Sequence, residues 1–393
     1  MFESPLLYSL LLVIPYLVIK YGSLWRRSLT PNTKGITNKK SAFYDKSKTS
    51  SLEPMPADFQ WDSIDPIKSY PFKNAAYKLT MGIKSLDVQD WLLIEPTYLD
   101  RIEEKTKIVT NNHPDYPKSK DLPQRTVFLT DECIPAVHEF YDVVVNYMCT
   151  KYPMYFTKSE DGEQLYNSIT KEFIPSDSSK ISGDFSTTRD LLLKLVRTIE
   201  EDFIILLKDP TRENEVDGTE YFFKGGVFAF AAGFNPNDRF NKPLSFIHHP
   251  IPGYESKLKV SMNRFFDRIL PGQFVTRSNF SMQTHSQFYV DDKNKGHNNA
   301  IEEIVPLKLE DIDFEKEMHY RSERQVLTKL PKTGAVVFTI RTYLQPLSEV
   351  KRQGPEVRER LVGAIKGFPE EIALYKRSIE WGPAVIQYLE KDV

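Results

Sequence analysis

The stretch GAVVFTIRTYL, residues 334–344, is dominated by β-branched and aromatic side chains, which crowd a helix and pack well on a pleated surface. A chain that carries it must build a sheet around it. Two further stretches point the same way. YFFKGGVFAFAAGF (221–234) is aromatic and glycine-bearing, like a strand with a bulge, and QFVTRSNFSMQ (273–283) alternates. Elsewhere the period is helical. LDVQDWLLIEPTYLDRIEEKTKIV (86–109) and TRDLLLKLVRTIEEDFIILLK (188–208) both read as helices, the second with Leu192, Leu195, Val196, Ile199, Phe203 and Leu206 at helical spacing and Pro210 beyond its end. ESKLKVSMNRFFDRIL (255–270) puts Leu258, Met262, Phe265, Phe266 and Ile269 on one helical face, and about 40 C-terminal residues read as helical and mostly solvated. Strands and helices mixed without a repeating strand-helix unit predict an α+β domain built on an antiparallel sheet.

The chain has 393 residues, a formal net charge of −2 and no basic stripe, which gives no reason to expect nucleic acid. Cys133 and Cys149 are its only cysteines, so it carries no disulfide framework, four-cysteine zinc site or iron–sulfur cluster by itself, and a reducing compartment is the simpler reading. Residues 1–27 hold no charge from Ser4 to Ile19, then Lys20, Tyr21, Trp25, Arg26 and Arg27. A snorkelling Lys20 and interfacial aromatics extend that run into a single predicted transmembrane helix, the alternative being a buried or surface-lying helix. Acid before the run and bulky basic residues after it argue against a cleaved signal peptide. The excess of Lys and Arg on the C-terminal side, from Lys20 to Lys40, places the body of the protein in the cytosol. The sequon Asn279-Phe280-Ser281 fits that side, since a strand-like stretch is a poor place for a glycan. Residues 28–55, rich in Ser, Thr, Lys and Asn, read as a flexible linker, and 56–393 as one domain.

There is no G-x-G-x-x-G, P-loop, H-E-x-x-H or G-x-S-x-G. What stands out is SFIHHPIPGY (245–254), which sets two of only 7 histidines side by side ahead of Pro250 and Pro252. A stiffened turn presenting an imidazole beside apolar residues suits a metal in a greasy pocket, such as a haem iron with one proximal histidine. The plainer alternative has one histidine satisfied in the core and the other in water. On 275–281, Arg277 and Asn279 share a face with Val275 and Ser281 by the period of two. Arg321, Glu323 and Arg324 precede a helix-like QVLTKL, Arg341 shares a face with Val337, Thr339 and Tyr343, and Glu200, Glu201 and Asp202 read as a structural helix turn.

LTMGIKSLDVQDWLLIEPTYLDRIEEKTKIV, LVRTIEEDFIILL, KPLSFIHHPIPGY, VTRSNFSM and YRSERQVLTKLPKTGAVVFTIRTYLQPL occur in this order, and over about residues 70–350 the chain resembles the alpha subunit of haem-dependent oxidative N-demethylases, a family with many fungal members. The most specific pieces are the I-H-x-P-x-P turn, the R-x-N-aromatic strand and the R-S-E-R-Q-x-L-x-x-L-P segment. The resemblance implies a PAS-like sheet-and-helix domain holding haem b through a histidine, and matching I-H-x-P-x-P puts that ligand at His248, with His249 as the variable neighbour. It implies that Arg277 and Asn279 line the distal pocket or meet a haem propionate, the alternative being an ordinary solvent face. A propionate is likewise one candidate partner for Arg341, among carboxylates of the protein. The resemblance also implies oxygen activation at the haem, loss of an N-methyl group from a small secondary amine as formaldehyde, and electrons from NAD(P)H through flavin and a two-iron cluster. With two cysteines and no dinucleotide fingerprint, this chain needs a separate reductase for that.

Phe280 stands where the family often has tryptophan, and Phe234 stands near another such position, so pocket shape and substrate are expected to differ. The anchor is an addition, and a cytosol-facing haem domain beside a membrane-bound reductase resembles the arrangement of microsomal monooxygenases in the endoplasmic reticulum. Two other classes stay open: a haem-based gas or redox sensor, and a haem-free interaction domain of the same fold. Only about 40 helical residues follow residue 350, with no output domain, which favours the enzyme.

Overall fold

In the computed structural model, residues 51–113, 125–233, 235–290 and 304–391 are described. The chain divides into the units Met1–Lys48 and Thr49–Val393; the predicted anchor and most of the linker, together with Phe234, lie outside the described residues. The strands are β1 (Lys84–Ser85), β2 (Val127–Leu129), β3 (Phe156–Lys158), β4 (Gln164–Asn167), β5 (Glu172–Pro175), β6 (Asp202–Lys208), β7 (Tyr221–Val227), β8 (Phe274–Gln283), β9 (His319–Lys329) and β10 (Val336–Pro346). They form a seven-stranded sheet ordered β1-β8-β9-β10-β6-β7-β2 and a three-stranded sheet ordered β3-β4-β5. Every pairing between these strands is antiparallel, so the fold is α+β as the patterning predicts.

The β-branched stretch is β10, in the middle of the large sheet, paired with β9 over its full length and with β6 over Val336–Ile340. That partner corrects one sequence expectation. The predicted helix 188–208 is helical only over Phe185–Val196, and DFIILLK leaves it to become β6. A strand covered on both faces is a continuous apolar run, which helical spacing alone cannot tell from a helix. The helix-like QVLTKL is likewise the end of β9, held by ladders on both sides. Of 86–109 only Tyr98–Val109 is an α-helix. Pro96 explains this, because the residue before a proline avoids the helical region. The preceding Trp91, Leu92 and Ile94 enter the core from a loop. Trp91 packs against Tyr147 and Phe274, with ring centroids 5.2 and 5.0 Å away. Its Nε1 donates to Thr339 Oγ1 at 3.2 Å, which keeps the one polar atom of a buried indole satisfied.

The C-terminal residues are helical, in segments Leu347–Arg352, Pro355–Lys366, Glu370–Tyr375 and Ser378–Glu390. They are less solvated than expected: Leu361, Ile365, Trp381, Val385 and Leu389 build a second apolar core with Phe72, Met318 and Tyr320.

The glycines of YFFKGGV do mark a bulge, where the register of β6 against β7 shifts between Ile205 and Leu206. Gly226 has φ +132°, and a Cβ there would lie 2.2 Å from the Phe203 carbonyl oxygen. Gly226→Ala therefore adds backbone strain to overpacking, and is expected to cost roughly 2–4 kcal/mol in urea unfolding. An unchanged midpoint would contradict this account of the bulge.

Candidate functional site

The connection from β7 to β8 crosses to the sheet through the helices Leu244–His248, Tyr254–Lys257 and Lys259–Arg268. The first is short because Pro250 and Pro252 withhold backbone donors just beyond it. Gly253 then turns the chain with φ +77°, and a Cβ at this position would press on Leu79 at 3.2 Å. The two histidines separate here. His249 is exposed, whereas His248 turns inward and its ring lies nearly parallel to that of Tyr254, 5.2 Å between centroids and 16° between planes.

His248 Nδ1 lies 2.8 Å from the Leu244 carbonyl oxygen, one helical turn back. A carbonyl only accepts, so Nδ1 carries the proton and Nε2 keeps a lone pair. Solvent still reaches part of the residue, but the protein is dense enough around the ring that burial pushes its pKa down to about 4. The Leu244 carbonyl opposes this, and the cations Arg277 and Arg239 add to it. The imidazole is therefore neutral near pH 7, which is the state that binds a metal.

Alternation puts Arg277, Asn279 and Ser281 on one face of β8, and the register extends that face across the sheet. Arg277 lies opposite Gln325 in β9, Gln325 opposite Ile340 in β10, and Ile340 opposite Asp202 in β6. The next row is Asn279, Glu323 and Thr342. Arg277 Nε, Gln325 Oε1, Thr342 Oγ1 and Asp202 Oδ1 are all buried without a hydrogen-bond partner. Four orphaned polar atoms on one sheet face are unusual, because each costs about 1–3 kcal/mol unless something fills it. Burial holds the Arg277 pKa below its ordinary value, against the pull of Tyr77, Glu323 and Tyr375, and Arg277 makes no ion pair among the described residues.

The four residues expected at the site are not all alike. His248 and Arg277 come within electrostatic reach of each other. Asn279 shares the face of Arg277, but its Oδ1 already accepts from Lys376 Nζ at 3.2 Å. Arg341 is a correction. Its register partner is Arg324, which pairs with Ser278, so it lies on the opposite face of the sheet from Arg277. There it is buried among Glu95, Glu200 and Glu201, with Nε 2.8 Å from Glu201 Oε1, NH1 on Glu95 and NH2 on the Leu93 carbonyl. No donor of Arg341 is aimed at a ligand on the His248 side. Phe280 is a second correction, since it too lies on that opposite face, packed 5.6 Å from Phe72 and 6.0 Å from Phe368. It belongs to the C-terminal core.

Glu200–Asp202 form the entry to β6 rather than a helix turn. Lys105 holds that entry, its Nζ donating to the carbonyls of Ile199, Glu200 and Glu201 at 2.8, 3.0 and 2.7 Å. Burial pushes Glu200 up to about 7 even though Arg341 pulls it down. The sequence reading missed Gln325, Thr342 and Asp202 as site residues. The signal was there in the alternation of Arg321, Glu323 and Gln325, which a helical reading of the segment hid.

Among the described residues no group of three or more His, Cys, Asp or Glu is placed to hold a metal ion. A single neutral imidazole with a free Nε2 fits instead a metal that arrives inside a cofactor, and a half-buried guanidinium nearby whose Nε lacks a partner fits that cofactor's carboxylate. Surface clefts of about 310 and 460 Å³ lie elsewhere, one between Thr106 and Leu193 and the other beside Asn74 and Gly363. Neither is lined by His248 or Arg277. The model of one protein family matches residues 82–386, more than three quarters of the chain and all ten strands; its description is haem-dependent oxidative N-demethylase, alpha subunit-like.

Proposed function

Because the chain belongs to the haem-dependent oxidative N-demethylase, alpha subunit-like family, we propose that it is a haem-dependent monooxygenase that removes an N-methyl group from a small amine. His248 would hold the haem iron through Nε2, and Arg277 would pair with a haem propionate. When bound, haem b supplies the iron at which oxygen is activated. The protein's own part is to present Nε2 through the hydrogen bond from Nδ1 to Leu244, which fixes both the tautomer and the ring orientation. The observation that carries the reading is this neutral, inward histidine beside a half-buried guanidinium whose Nε has no hydrogen-bond partner.

A PAS-like description of the domain is supported by the strand order. Taken alone, β7-β6-β10-β9-β8 is a five-stranded antiparallel sheet whose first and last strands in sequence are central neighbours, with the histidine-bearing helices inserted between its second and third. Electrons from NAD(P)H come through a separate flavin or iron–sulfur reductase, consistent with two cysteines that are both free thiols. The N-terminal run anchors the domain on the cytosolic side of a membrane, in our reading the endoplasmic reticulum. Among the described residues no helix is long and apolar enough to cross a membrane, and the run itself lies outside them. The sequon lies inside β8, with Ser281 buried and the half-buried Asn279 side chain already bonded to Lys376.

Reduced, haem-loaded protein supplied with oxygen and a reductase is expected to release formaldehyde from a small secondary amine. Haem that reduces and binds carbon monoxide, but yields no formaldehyde from any N-methyl amine, would favour the sensor instead. Arg277→Met is expected to speed haem transfer to a scavenger apoprotein by about 10- to 100-fold. The same change leaves the haem-free protein at least as stable in urea, because it removes a half-buried cation that makes no ion pair among the described residues and whose Nε lacks a hydrogen bond. A destabilised haem-free variant with normal haem retention would contradict the role given to Arg277.

A further inference from the structure

The orphaned acceptors on the sheet face ask for something that donates. Asp202 is fully buried, and its Oδ2 accepts from the Phe230 amide at 2.6 Å while the Ala229 amide also faces the carboxylate; Oδ1 makes no hydrogen bond. The cations that offset its charge are turned elsewhere. All three protons of Lys105 go to the backbone carbonyls of Ile199, Glu200 and Glu201, and Arg321 donates to the carbonyls of Phe230 and Phe288 and to Glu323. Gln325 is oriented by its own hydrogen bond, since Nε2 donates to Glu323 Oε2 at 2.9 Å. Reversing that amide would aim oxygen at a carboxylate, so Oε1 is the atom left facing the site. Thr342 adds a hydroxyl with no partner. Asp202, Gln325 and Thr342 surround the apolar Ile340, and two strand spacings, roughly 10 Å, separate the β6 and β9 members.

We propose that Asp202, Gln325 and Thr342 are the residues that hold and orient a small ammonium ligand, its N–H groups directed at their unfilled acceptors and its alkyl groups against Ile340. This rests on the amine-demethylating function proposed above and adds the side chains that select the amine. Asp202 supplies the counter-charge, and Gln325 and Thr342 fix the direction of the N–H bonds. A ligand with charge but no N–H satisfies only the first of these, so N–H donors are preferred over quaternary ammonium of similar size.

The test uses the full chain with dimethylammonium chloride as probe, read by perturbation of the haem absorption and, on haem-free protein, by calorimetry. Asp202→Asn, which keeps the shape and turns a donor toward the site, is expected to raise Kd by about 10- to 100-fold with unchanged haem content and unliganded spectrum. Thr342→Val, an isosteric change with little risk to folding, is expected to raise it several-fold, and tetramethylammonium is expected to bind the wild type more weakly than dimethylammonium. Equal Kd for wild type and both variants would overturn the proposal, as would a haem-loaded wild type that does not bind dimethylammonium. If the wild type takes no haem, the function above fails by itself. The calorimetric arm then decides this proposal separately: binding weakened by Asp202→Asn upholds it, and no binding overturns it.

Discussion

His248→Ala protein is expected to fold and to contain no haem, while His249→Ala protein keeps a full complement. The two residues are neighbours in sequence and opposite in setting. His249 is exposed, and nothing in the fold directs it inward. His248 is held by a hydrogen bond to Leu244 and by the Tyr254 ring, and burial keeps its pKa far below that of an ordinary histidine, at about 4. Removing the imidazole costs the apoprotein one hydrogen bond and one stacking contact, about 1–2 kcal/mol, too little to unfold a domain of this size. Loss of haem without loss of structure is thus the specific result. Adding free imidazole to His248→Ala protein is expected to restore part of the haem spectrum, because the vacated space is that of the lost ring. Full haem retention in His248→Ala would contradict the assignment, and equal loss in both variants would point to a fold effect at the turn.

Arg341→Met carries the largest expected effect on stability. The guanidinium is the cation shared by Glu95, Glu200 and Glu201, all of them buried, and Tyr343 Oη donates to Glu95 as well. Removing it leaves the buried carboxylates with Lys105, Arg101 and Arg324 as the remaining near cations, and Lys105 and Arg324 are bonded to backbone carbonyls rather than to these carboxylates. Breaking a buried ion pair in this way costs about 3–5 kcal/mol. The sign of its pH dependence follows from linkage. Burial already holds Glu200 near 7 with the cation present, and without the pull of Arg341 it titrates still higher in the folded state than in the unfolded one. The folded state then binds more protons, so the variant loses stability as pH rises and recovers it on acidification. Urea midpoints at pH 5 and pH 8 measure both effects. A deficit under 1 kcal/mol at pH 8, or a larger deficit at pH 5, would contradict the ionic role assigned to this cluster.

The parts of the fold legible in the sequence are those where local preference and tertiary setting agree. GAVVFTIRTYL and QFVTRSNFSMQ are strands by composition and alternation, and both lie in the large sheet. The I-H-H-P-I-P turn shows that one histidine is presented by a rigid element, and the structure turns His248 inward. The failures share a cause. DFIILLK and QVLTKL have apolar content compatible with either period, and their partners, β10 for the first and β8 and β10 for the second, are distant in sequence. Reading QVLTKL as helix-like, with Arg321, Glu323 and Arg324 ahead of it, hid the face shared by Glu323, Gln325 and Arg321. Arg341 was legible as an arginine in need of a carboxylate, but not as one whose carboxylates come from residues 95, 200 and 201. Phe280 was placed at the pocket because a family position was carried over without its side of the sheet, which register alone decides.

The central claim is that His248 presents a lone pair to a haem iron, and the visible spectrum of the full chain, expressed with haem precursor, tests it most directly. The account predicts a Soret band that shifts on reduction with dithionite and again with carbon monoxide, and that is absent from His248→Ala. A well-folded wild-type protein with no Soret band would contradict it.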